Sequence, residues 1–165
     1  MSTTDGGRLK RVAIRGYRRR DRAEVMAIAM RSFVGLCLDE NIEKLFGPLD
    51  EGWEQQKRDH VDYDLSGSPH SAFVAIVDDE VVGFVCNRLY RHKLTGHVTN
   101  LAVAPEWQGQ GVGKALLEAS LAHFRDHGMR YARIETLEQN EKACKFYPSA
   151  GFQEVGRQIF YVKEL

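Results

Sequence analysis

The chain has 165 residues, enough for one compact domain with a core of its own. Hydrophobic residues make up 43% and charged residues 28%, and 23 Lys and Arg balance 23 Asp and Glu, so net charge argues for neither a nucleic-acid nor an anionic-membrane partner. Cys37, Cys86 and Cys144 are far apart and form no CxxC pair, which fits reduced thiols and a cytoplasmic setting; no apolar run approaches the roughly 18 residues of a membrane span.

Residues 1–10 lack the apolar core of a signal peptide and read as a flexible tail, with 11–165 as one domain. "RVAIRGY" (11–17) predicts a strand. Residues 19–33 predict a helix, opened by Asp21 and Glu24 at capping-box spacing and striped by Val25, Ile28, Ala29 and Phe33. Residues 36–50 are ambiguous up to the break at Gly47-Pro48, and 51–65 predict a second helix. Asp78-Asp79 lies between two β-branched runs, the pattern of a hairpin. A strand at 96–103, a helix at 112–127 stopped by Gly128, a strand at 131–137, a helix at 140–147 and a final strand or hairpin at 152–165 complete a mixed α/β pattern.

The stretch "AVAPEWQGQGVGKALL" (102–117) sets Gly109, Gly111 and Gly113 between a strand and a helix. The first turn of a helix offers unpaired N–H groups and a partial positive charge, and glycine permits positive φ and close backbone approach. Together they suit an anion, phosphate best of all. The stretch fails as a nucleoside-triphosphate loop, because Gln108 stands where the first glycine belongs and Ala115 follows Gly113-Lys114. It fails as a dinucleotide fingerprint at Lys114, and "APEWQ" separates it from its strand.

Gln108, Gly111 and Gly113, followed by Asn140, Ala143, Phe146-Tyr147 and Gly151-Phe152, resemble in order the two motifs of the GNAT (GCN5-related N-acetyltransferase) superfamily. The resemblance runs from about Val12 onward and is strongest over 97–152. It implies an α/β fold with a central, mostly antiparallel, splayed sheet flanked by helices. It implies acetyl-CoA as cosubstrate, no metal, and direct transfer of the acetyl group to an amine of a small molecule or peptide. Backbone N–H groups across Gly109, Gln110, Gly111, Val112, Gly113 and Lys114 would hold the pyrophosphate. Leu101, Ala102 and Val103 would pair with the pantetheine arm, and Asn140 would reach toward it. The N–H near Leu101 would polarise the thioester. Homodimers are frequent among such relatives. A non-catalytic acyl-CoA-binding regulatory domain is the alternative, since it needs the same loop.

Proton transfer needs further groups. Tyr147 matches the family's usual general acid, but Pro148 follows it and is expected to end or kink the helix there. His97 stands four residues before Leu101, where relatives place a base, and strand alternation puts 97, 99 and 101 on one face. Glu135, on the next strand, is the second candidate base. His123 and His127 have ligand spacing on a helix, yet no HExxH glutamate accompanies them, and a solvated helix end suits them better. Asp39, Glu40 and Glu43 are placed either to attract a cationic substrate or as plain surface charge.

Overall fold

The computed structural model describes residues 2–5, 8–48, 50–66 and 71–165. In the stretch read as a tail, β1 (Ser2–Asp5) and β2 (Arg8–Arg11) pair as a separate antiparallel hairpin. The main sheet begins with β3 (Ala13–Gly16). Then come three helices: α1 (Arg22–Ser32), α2 (Leu38–Phe46) and α3 (Gly52–Ser66). The ambiguous 36–50 stretch is thus largely helical, and it stops at Gly47, whose φ of 94° no L side chain adopts readily.

Asp21 precedes α1 without capping it. Its carboxylate turns back instead, accepting from the Arg18 amide at 2.7 Å and from the Arg15 guanidinium at 2.7 and 2.8 Å. The expected Asp21–Glu24 box is therefore not formed; Asp21 instead closes a box with Arg18 on the preceding 3-10 turn, Arg19–Asp21. Two of the acidic residues considered as substrate attractors are also structural: Glu40 accepts from the Gly35 amide and pairs with Lys44, and Glu43 accepts from the Trp53 amide.

β4 (Ala72–Val77) and β5 (Glu80–Tyr90) form the expected hairpin, with φ of 49° at Asp78 and 67° at Asp79 as a primed two-residue turn requires. β6 (Thr95–Val103), α4 (Val112–Asp126), β7 (Tyr131–Arg133) and α5 (Glu141–Ser149) follow. The sheet order is β3-β4-β5-β6-β7, antiparallel except for the parallel pair β6-β7. One face packs Val25, Ile28, Val61, Val74 and Phe84 under α1 and α3; the other packs Val82, Val85, Val98, Leu116 and Phe124 under α4.

Three boundaries differ from expectation. β7 ends at Arg133, because its ladder with β6 stops at His97↔Arg133 and the two strands then part. α5 continues through Pro148 and ends one residue later at Ser149; the proline lies in the last turn, so its missing amide donor and the crowding of its ring against the preceding turn fall where the helix stops. The helix closes with Phe152 N–H on the Tyr147 carbonyl (3.1 Å) and Gly151 N–H on that of Pro148 (3.0 Å), with Gly151 at φ 89°. Residues 152–165 form no strand, and from Gln153 onward they are exposed. Strand propensity alone does not make a strand; a pairing edge must be engaged.

Candidate active site

The site is built around an irregularity in β6. Asn100 pairs with Cys86 and Val98 pairs with Asn87, so Thr99 is an extra residue without a ladder partner, and its hydroxyl donates to the Cys86 carbonyl at 3.3 Å. The bulge reverses the sidedness of the strand. Before it, a Cβ on Gly96 would lie 2.2 Å from the Phe124 ring on α4, and Val98 joins the same cluster. After it, Asn100 and Ala102 face α1 and α3, and Leu101 and Val103 face α4. His97 and Leu101 therefore look to opposite faces of the sheet, which corrects the single face that simple alternation assigns to 97, 99 and 101.

His97 sits where β6 and β7 part. Its Nε2 lies 3.0 Å from Glu135 Oε2, so the two candidate bases touch each other. The imidazole is nearly buried, at 12% exposure, while the carboxylate is 59% exposed. The hydrogen bond to His97 holds the Glu135 carboxyl below the usual carboxylate range; partial burial opposes it, and Arg133, 3.2 Å away, adds to it.

On the same face lies a polar network that the sequence reading missed. Asn100 donates to Asp64 at 2.7 Å and accepts from Lys57 Nζ at 2.6 Å; Arg88, opposite His97 in the ladder, pairs with Asp64 at 2.5 Å. Desolvation pulls the Lys57 ammonium below its ordinary pKa, and its charge also lies 3.8 Å from the Phe33 ring centroid. The asparagine directly before the apolar run Leu101-Ala102-Val103 was the available signal.

On the other face stands the glycine turn. Gly109 and Gly111 have φ of 73° and 83°, and Gly111 is the N-cap of α4. The N–H groups from Gly109 to Lys114 donate to no acceptor among the described residues, and the first bond into the helix is Ala115 N–H to Gly111. A Cβ on Gly113 would rest in ordinary contact with Val103, Phe146 and Leu101, so this glycine borders the gap between α4, β6 and α5. Beyond His97, the β6 edge facing β7 carries no strand among the described residues, so Leu101, Ala102 and Val103 have no strand partner on that side. Gln108 donates to the Val103 carbonyl at 3.1 Å and accepts from Lys142 at 3.0 Å, tying the turn to β6 and α5. Gln110 donates to the Glu106 carbonyl. These features fit a pyrophosphate followed by an extended arm.

Asn140 caps α5, accepting from the Ala143 amide at 3.2 Å. Tyr147 packs edge-on to Phe152 at 6.0 Å, within the cluster on the α4 face, and burial pushes its phenol up to about 12. The structure thus brings His97 to Glu135, and sets Tyr147 with the glycine-turn side. Among the described residues no group of His, Cys, Asp and Glu side chains is arranged to hold a metal ion, and no helix is long and apolar enough to cross a membrane.

The structure superposes with a TM-score of 0.65 on PaiA N-acetyltransferase from Thermoplasma acidophilum, solved in complex with coenzyme A, over 87% of this chain and 90% of that one at 19% identity. Residues 36–152 match the profile of the Acetyltransferase (GNAT) family, and the chain belongs to that family. It is 33% identical over 106 residues to aminoglycoside N(6')-acetyltransferase type 1 of Stenotrophomonas maltophilia, covering 59% of this chain and 69% of that protein. It is 34% identical over 96 residues to N-alpha-acetyltransferase 30 of Schizosaccharomyces pombe; that match covers 56% of this chain and 64% of the yeast protein, just under two thirds of its length.

Proposed function

We propose that this protein transfers an acetyl group directly from acetyl-CoA to a primary amine. The observation that carries the reading is the run of unengaged N–H groups from Gly109 to Lys114, set beside the open edge of β6 where the sheet parts. Acetyl-CoA supplies the activated thioester. The N–H groups of the turn bind its pyrophosphate, and the edge at Leu101, Ala102 and Val103 aligns its arm. Backbone N–H near Leu101 stabilises the oxyanion as the amine nitrogen bonds to the carbonyl carbon.

The amine must shed a proton, and the departing thiolate takes one. His97, with Glu135 at 3.0 Å, removes the first directly or through water. Tyr147, protonated at neutral pH, supplies the second. The opposed faces of β6 support a division of labour, with the amine met on the α3 face and the thiol on the α4 face.

The test is acetyl-CoA with a panel of amines that begins with aminoglycosides and peptide α-amines, the acceptors for which the relatives are named. Release of free thiol with stoichiometric acetyl-amine is expected, and His97→Ala is expected to lose about 10²-fold or more in kcat/KM. Coenzyme A binding without transfer to any amine would establish the non-catalytic binding domain instead.

A further inference from the structure

The polar network on the α3 face of β6 leaves a positive charge unmatched. Asp64 accepts from the Arg88 guanidinium at 2.5 Å and from Asn100 Nδ2 at 2.7 Å. That guanidinium also lies 4.3 Å from the Tyr63 ring centroid, so it is engaged on two sides. Asn100 turns its carbonyl oxygen to Lys57 Nζ at 2.6 Å, and the Phe33 ring lies under the same ammonium at 3.8 Å. The amide is fixed in this sense, because only its nitrogen can donate to Asp64 and only its oxygen can accept from Lys57. The row is therefore cation, carboxylate, amide, cation, with a single negative charge between two positive ones. Among the described residues no carboxylate forms an ion pair with Lys57; Asp64 acts on it across Asn100, and Asp39 acts from α2 at longer range. The side chain is half-buried, and desolvation works against its charge. An ammonium has three N–H donors, and a half-buried one without a counter-ion is completed by an anion.

The bulge sets this ammonium close to the candidate base. Because Thr99 is the extra residue, Asn100 is the next side chain after His97 on the α3 face, about 7 Å along the strand. Contacts of about 3 Å at each end then bracket a molecule whose amine and anion are only a few bonds apart. We propose that the acceptor is an amino acid, its amine delivered to His97 and its free carboxylate held by Lys57. On the acetyl-transfer reading, on which this rests, the carboxylate takes no part in the chemistry. The amine nitrogen bonds to the acetyl carbon, the carbon–sulfur bond breaks, His97 takes the proton of the amine and the thiolate gains one. Lys57 selects the acceptor and orients it. A polycation would instead set its further ammonium groups against Lys57, at a cost that no nearby carboxylate offsets.

The full chain, assayed with saturating acetyl-CoA against α-amino acids, their carboxamides, β-alanine, polyamines and aminoglycosides, tests this. The carboxamides carry the less basic amine, so more of it is unprotonated at neutral pH and intrinsic reactivity favours them. At least one amino acid is nevertheless expected to exceed its carboxamide by about 10-fold or more in kcat/KM. Lys57→Met should erase that ratio through the KM of the acid, and Lys57→Arg should keep most of it, with circular dichroism to show that each variant is folded. The ratio in the unaltered chain is decisive even where Lys57→Met does not fold. Carboxamides that match or exceed every amino acid, or polycations that do so, overturn the inference and leave acetyl transfer standing. A ratio undiminished in folded Lys57→Met overturns it too, by placing the carboxylate elsewhere. Transfer to no amine at all overturns the acetyl-transfer reading and this inference with it.

Discussion

At the scale of single residues, two titrating side chains carry opposite pH signatures. Tyr147 is held protonated by burial, with its pKa raised to about 12, so it stays a proton donor throughout the neutral range. Tyr147→Phe should lower kcat with little change in acetyl-CoA affinity, and ultraviolet difference titration should show one phenol fewer ionising near the top of the alkaline range. If kcat is unchanged, the thiolate leaves unprotonated or takes its proton from water. Asp21 is buried, and its carboxyl lies below the ordinary range, first because of the Arg15 hydrogen bonds and then the Arg18 amide, against the cost of burial. A depressed folded-state value adds stability above the unfolded pKa, and that stability is lost as pH falls through the folded value. Asp21→Asn should therefore lower the urea midpoint at neutral pH and flatten its decline toward acid. An unchanged acid limb would assign that decline to other carboxylates.

At the scale of elements, the glycine turn is the part most open to direct test. Gly111 combines the N-cap of α4 with a left-handed φ of 83°. A β-branched residue there costs about 1–2 kcal/mol in backbone strain alone and crowds the N–H groups behind it. Gly111→Val should abolish coenzyme A binding in calorimetric titration while circular dichroism remains folded; a folded variant with undiminished affinity would move the phosphate site elsewhere. The sequence made this element legible because positive φ leaves a compositional mark. The Asp78-Asp79 hairpin, the α4 stripe and the Gly128 stop were legible for the same local reasons. What escaped depends on partners distant in sequence. Nothing local in "GHVTNLAV" announces that Thr99 lacks a ladder partner, and Asn100 declares its role only once Lys57 and Asp64 arrive from α3. The strand expected over 152–165 has the right propensity but engages no edge of the sheet.

At the scale of the whole molecule, the formal net charge is zero at pH 7 while large apolar side chains stand exposed along 153–165. Near-zero net charge removes the long-range repulsion that keeps copies apart. Light scattering should therefore show attraction strongest near neutrality, easing toward either side as the chain gains charge; a profile flat with pH would mean that patch chemistry alone governs association. The extra residue in β6 has a different kind of consequence. It acts as a parity step: every side chain beyond it is counted from a new origin. Deleting Thr99 would make Val98 and Asn100 consecutive opposite Asn87 and Cys86, so each side chain would keep its present face in unbroken alternation, whereas deleting one of its paired neighbours would turn part of the strand over. The one residue with no partner of its own in the ladder is the one whose loss would leave every other side chain on its face.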